Sequence, residues 1–132
     1  MKWISKGKKK TFGIKRFINS FVYAFSGIIS AFKTEQNLVL DLIFGVLTII
    51  IGIFLKLSII EFAIVILAIG LVISMELINT SIENVVDMAM PEIHPLAKVS
   101  KDIASGAVLI SCIMAFTVGI IIYLPKVIDL LR

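Results

Sequence analysis

The sequence predicts an all-α integral membrane protein built from one amphipathic surface helix and three membrane-crossing helices, and three observations lead there. Hydrophobic residues make up 59% of the chain and mean hydropathy is +1.08, whereas soluble domains are typically about 45–50% apolar. Apolar runs long enough to cross a bilayer recur three times, each crossing needing ~20 residues. Ahead of them lies a stretch whose apolar positions are spaced by helical turns instead of running continuously. The 132 residues are expected to hold one membrane domain, 1–132, with no room for a separate soluble module.

In order, residues 1–13 form a basic tail in which Lys2, Lys6, Lys8, Lys9 and Lys10 are broken by Gly7 and Gly13. No short apolar core with a small-residue cleavage site follows, so a removable signal peptide is not expected. Over residues 14–34, Ile14, Phe17, Ile18, Phe21, Val22, Phe25, Ile28, Ile29 and Phe32 recur at helical spacing, while Lys15, Arg16, Asn19, Ser20, Tyr23 and Ser26 take other faces. Such a helix suits the plane of the membrane interface. The bundle helices are predicted over residues 37–55, 57–90 and 101–124. Their apolar parts are Leu38–Leu55, Leu57–Met75 and Ile103–Leu124, the last ended by Pro125. Lys56 links the first two into a tight hairpin, and Pro91, His94 and Pro95 mark the turn before the third. Cys112, the one cysteine, lies inside an apolar run and reads as a small membrane-helix residue without a disulfide partner.

Lysine and arginine placement sets the orientation. With the N-terminus in the cytoplasm, Lys2, Lys6, Lys8, Lys9, Lys10, Lys15, Arg16, Lys33, Lys98 and Lys101 are inside, and Lys56, Lys126 and Arg132 are outside, ten against three. The net charge of +4 thus reads as topology and contact with the anionic headgroups of the bilayer. Nucleic acid is not an expected partner, since nothing resembles a recognition module.

The second long helix carries acids where lipid-facing sequence should carry none. Glu76, Asn79, Glu83 and Asp87 fall at roughly 0°, 300°, 340° and 20° around a helix, a stripe about 80° wide. An acid near hydrocarbon costs about 2.5–3.5 kcal/mol by insertion scales, so the row needs protein, water or metal partners. Glu76 lies about 26 Å along the helix from Ile59, close to the cytoplasmic edge of a core roughly 30 Å thick. Glu83 and Asp87 lie ~10 and ~16 Å further, in the aqueous layer. Lys101, Asp102 and Ser105 open the third span on the same side, and Glu35 ends the surface helix there. Carboxylate oxygens suit magnesium, a lysine suits a phosphate, and a desolvated carboxylate can take a proton from an alcohol. The set suits phosphoryl transfer to a membrane alcohol.

Plainer readings stand beside this one. Asp87 suits a solvated face, and a lone Lys101 would snorkel at a helix end. His94 reads as a loop residue, because no second histidine exists to complete a metal site. Glu61 and Asp41 read as interface markers near span ends, and Trp3 as an interfacial aromatic. No phosphate-binding glycine loop occurs. A small oligomeric proton or cation channel would also use an acid row, but it has no use for Lys101-Asp102. A non-catalytic adaptor leaves the aligned acids unexplained.

Glu76-Leu-Ile-Asn-Thr-Ser-Ile-Glu-Asn-Val-Val-Asp87, followed by Glu92-Ile-His94 and Lys101-Asp-Ile-Ala-Ser-Gly-Ala-Val108, resembles the signature of the small prokaryotic diacylglycerol kinase family, which includes the undecaprenol kinases. Upstream, Arg16, Tyr23, Gly27 and Glu35 keep the family's spacing, so the resemblance covers nearly all of the chain beyond the tail. It implies a homotrimer in the bacterial cytoplasmic membrane that uses ATP and magnesium. By the resemblance Glu76 is the general base and Glu35 and Glu83 are the metal ligands. Lys101 is the γ-phosphate contact, and Arg16, Tyr23, Glu92, His94 and Asp102 are further nucleotide contacts. Ser105 touches the lipid, and Asn79 and Asp87 complete the polar stripe. Where members commonly carry an aromatic and an arginine, this chain has Leu38 and Val39. With Ile28 and Ile29 they make the expected lipid entrance apolar. That entrance, with few donors for ester carbonyls, suits a polyprenol, and the lysine-rich tail and Glu35-Gln-Asn37 resemble the undecaprenol kinases, with diacylglycerol as the alternative substrate.

Overall fold

The computed structural model describes residues 13–132; the basic tail and Trp3 lie outside the described residues, apart from Gly13. Among those described, four helices follow one another with no strand: α1 (Ile14–Thr34), α2 (Gln36–Phe54), α3 (Ile59–Ala89) and α4 (Pro95–Leu130). Three of them, α2, α3 and α4, are long and apolar enough to cross a membrane.

Local chemistry sets the breaks. Glu35 adopts an extended conformation, φ −107° and ψ 109°, and separates α1 from α2. After α2, Lys56 takes the left-handed region at φ 55°. Its N–H donates to the carbonyl of Ile53, and that of Leu57 to the carbonyl of Gly52, which closes α2 in a Schellman turn. Ser58 then opens α3 with a capping box: its hydroxyl accepts from the Glu61 N–H, while the Glu61 carboxylate accepts from the Ser58 N–H. Two otherwise orphaned donors are thereby satisfied.

The third span extends beyond its predicted 101–124 at both ends. At its start, His94 Nδ1 accepts from the Leu96 N–H at 3.2 Å, and Pro95 fills a first-turn position, where its missing donor costs nothing. At its end, Pro125 lies inside α4 and does not stop it. Proline cannot donate to the carbonyl four residues back, but helices packed in membranes tolerate this loss.

Antiparallel packing of α3 on α4 is fixed at both ends. Lys126 pairs with Glu61 at 3.1 Å, and Lys101 pairs with Asp87 at 2.8 Å. Near the first of these ends, Leu57, Val65 and Ile122 form a core against which Phe62, Ile69 and Tyr123 pack. The buried positions of α2 are Leu38, Gly45 and Gly52, spaced by seven along one narrow line. The two glycines let neighbours approach closely: a Cβ at Gly45 would meet Ile69 at 2.8 Å, and one at Gly52 would meet the Tyr123 hydroxyl at 2.9 Å. That hydroxyl donates to the Thr48 carbonyl at 2.8 Å, tying α4 to α2. Leu38 is fully buried, which removes it from the apolar entrance expected of it, whereas Ile28, Ile29 and Val39 remain exposed.

Candidate active site

The buried face of α3 runs through Val65, Val72, Glu76 and Thr80. At about 100° per residue, Asn79, Glu83 and Asp87 continue the same face. One seam is therefore apolar through the core and polar beyond Glu76, because the helix outlasts the hydrocarbon. Its 31 residues extend about 46 Å, against a core of about 30 Å.

Glu76 is 7% exposed. Among the described residues its carboxylate takes part in no hydrogen bond or ion pair, and the charges of Asp41, Glu35 and Glu83 act on it. Acids from the α1–α2 junction, α2 and α3 are thus near enough to act on Glu76. Asp41 is the member that sequence reasoning missed. It is no mere interface marker, since its Oδ2 is buried without a partner. The available signal was an acid inside the apolar run of α2. Beside Asp41 opens an apolar cavity of about 730 Å³ between α2, α3 and α4, lined by Phe44, Val72, Cys112, Phe116 and Tyr123 among others.

Further along the seam, Asn79 donates to Glu83 Oε1 at 3.0 Å, and the Ser105 hydroxyl lies 3.5 Å from Asn79 Oδ1. Lys101 donates to both oxygens of Asp87, at 2.8 and 3.0 Å. Asp87 is solvated, as the plainer reading has it, but Lys101 does not snorkel alone, because the two are paired. Asp87 is 65% exposed at its side chain and Lys101 33%, yet each holds the other. His94 caps α4 through Nδ1, which in the neutral ring leaves Nε2 as the donor.

Among the described residues, the remaining sequence-predicted residues make no side-chain hydrogen bond or ion pair to this seam. Ala31, the buried residue of α1, lies about 12 Å from Tyr23 and about 22 Å from Arg16 along the helix. Neither residue makes a side-chain hydrogen bond to the acid row among the described residues. Glu92 and Asp102 are exposed at the same end as Lys101.

No group of three or more acids, histidines or cysteines among the described residues is arranged to hold a metal ion. Two carboxylates are nonetheless available. Glu35 caps nothing with its side chain, and Glu83 spends one oxygen on Asn79. Magnesium is commonly held by one or two carboxylates together with substrate phosphates, so the donor set fits a metal that arrives with a nucleotide.

Comparison with known proteins identifies the family. The family model described as prokaryotic diacylglycerol kinase matches residues 22–123. The undecaprenol kinase of Bacillus subtilis (strain 168) is 42% identical over 113 residues, covering 86% of this chain and 92% of that protein. The diacylglycerol kinase of Helicobacter pylori (strain J99) is 36% identical over 104 residues, 79% of this chain and 81% of the other. That of Escherichia coli (strain K12) is 32% identical over 105 residues, 80% and 86% respectively. The matched region contains Glu76, the polar seam and Lys101, and it selects an enzyme over a channel or an adaptor. The chain belongs to the prokaryotic diacylglycerol kinase family and is a membrane-embedded lipid kinase.

Proposed function

We propose that the protein transfers the γ-phosphate of ATP to the hydroxyl of undecaprenol, in preference to diacylglycerol, at the cytoplasmic edge of a bacterial membrane. The observation that carries this reading is Glu76, buried and, among the described residues, without a hydrogen-bond or ion-pair partner where the α3 seam turns from apolar to polar. A carboxylate there can accept the proton of a lipid hydroxyl whose chain stays in the hydrocarbon. The hydroxyl oxygen then attacks the γ-phosphorus. As the new P–O bond forms, the bond to the β-phosphate oxygen breaks and ADP leaves.

Other residues divide the remaining work. Glu35 and Glu83 would hold magnesium, which when bound offsets phosphate charge. Lys101 meets the γ-phosphate, Arg16, Tyr23, Glu92, His94 and Asp102 meet the rest of the nucleotide, and Ser105 meets the lipid head. Asp41 offers the lipid hydroxyl a second acceptor, and the apolar cavity beside it receives the chain. Undecaprenol is favoured by the identity to the Bacillus subtilis enzyme and by the exposed Ile28, Ile29 and Val39. These side chains offer no donors to the ester carbonyls of diacylglycerol. A site that hydrogen-bonds a group discriminates strongly against ligands lacking it, and an apolar site gives no such advantage to esters.

Competition between the two lipids in one mixed-micelle assay with labelled ATP gives the ratio of kcat/KM directly. A higher value for undecaprenol is expected, with residual diacylglycerol phosphorylation. A preference for diacylglycerol overturns the choice of lipid, and phosphate transfer to neither overturns the proposed acceptor class.

A further inference from the structure

Lys101 and Asp87 stand on different helices at the polar end of the α3–α4 seam, and the ammonium donates to both carboxylate oxygens. Asp87 forms no other side-chain hydrogen bond among the described residues. Glu83, about one turn earlier on α3, is turned towards Asn79 and not towards the lysine. Left alone, a lysine on a flexible four-carbon stem at a one-third exposed position would sample many rotamers in solvent. A carboxylate exposed where a polyanionic nucleotide docks would repel it unless a cation stood between them. The pair removes both difficulties at once. An ammonium has three donors, so one can stay on Asp87 while the others turn to a phosphate.

We propose that Asp87 is a positioning residue for phosphoryl transfer: it holds the Lys101 ammonium through two oxygens before nucleotide binds and gives up one of those contacts when the γ-phosphate arrives. The proposal rests on Lys101 being the γ-phosphate contact. It assigns Asp87 no contact with substrate or metal, and it separates Asp87 from Glu83 on the same stripe. An exposed ion pair adds little to stability, so the loss of Asp87 is expected to show in nucleotide handling.

The test is a double-mutant cycle on the full chain in lipid nanodiscs. Its readout is the affinity for a nonhydrolysable ATP analogue with magnesium divided by that for ADP with magnesium. The ratio isolates the γ-phosphate and, being taken within each variant, does not depend on the fraction of protein folded. Lys101→Met should bring the ratio close to one. Asp87→Asn should lower it several-fold in the wild-type background and leave it unchanged in the Lys101→Met background. Asp87→Glu should restore part of it. Equal effects of Asp87→Asn in both backgrounds, or no effect in either, overturn the proposal and leave the kinase reading intact. A wild-type ratio in Lys101→Met overturns the assignment of Lys101 itself, and the proposal with it.

Discussion

Glu76 is buried and, among the described residues, its carboxylate makes no hydrogen bond or ion pair, which leaves it free to serve as the proposed base. Glu76→Gln keeps the shape and removes proton acceptance. Turnover is expected to fall by roughly a hundredfold or more while ATP binding persists, and near-normal turnover would remove Glu76 from the chemistry. Glu35 and Glu83 give a separate expectation, because a metal held with phosphates loses affinity with either carboxylate. Glu35→Ala and Glu83→Ala should each raise the magnesium concentration needed for activity or abolish turnover. Magnesium titrations indistinguishable from wild type in both variants would refute the ligand assignment. Most of these residues were legible in the sequence, since acids beside an apolar run contradict their surroundings. The Lys101–Asp87 bond was not, because 14 residues separate the partners and only the packing of α4 on α3 brings them together.

Helices were readable in number and order because apolar periodicity and length report them directly. Their ends were less so. The third span was expected to stop at Pro125, yet α4 passes through it, since neighbouring packing offsets one lost hydrogen bond. The Ser58–Glu61 capping box does carry a sequence signature, a serine three residues before a glutamate ahead of an apolar run. The line Leu38, Gly45 and Gly52 emerges only when α2 meets its neighbours. Gly52→Ala would drive its Cβ against the Tyr123 hydroxyl, which is held by the Thr48 carbonyl. Overpacking of about 1–3 kcal/mol and a weakened hydrogen bond of about 1 kcal/mol outweigh the roughly 1 kcal/mol that alanine adds to a helix. A loss of about 1–3 kcal/mol is expected in detergent unfolding. It should shrink markedly in a Tyr123→Phe background, where the obstructing oxygen is absent; an equal loss in both would show that other contacts decide the fit.

At the scale of the whole molecule, large apolar side chains remain exposed along all three long helices, among them Phe44, Leu67 and Phe116. Lipid can cover such faces, but it cannot cover the carboxylates at Glu35, Asp41, Glu76 and Glu83. Among the described residues Arg16 and Tyr23 make no side-chain hydrogen bond to the acid row, so the nucleotide contacts proposed for them at this site require a second copy. A homotrimer is therefore expected in mild detergent and in nanodiscs, measurable as mass by light scattering. A monomer with full activity would contradict it.

Composition and periodicity by themselves determined an all-helical membrane bundle with one N-terminal helix, three helices long and apolar enough to cross a membrane, and an acid stripe on the second of those three. These properties are local: they depend on what each residue is and on what lies three or four positions away. Tertiary structure alone decided that Asp41 joins the acids around Glu76, that Leu38 is sealed inside, and that Lys101 is held by Asp87. Each of those outcomes depends on how helices distant in sequence approach and rotate against one another. That approach is set by close packing at positions such as Gly45 and Gly52, and a hydropathy pattern records the face of a helix but not the neighbour it meets.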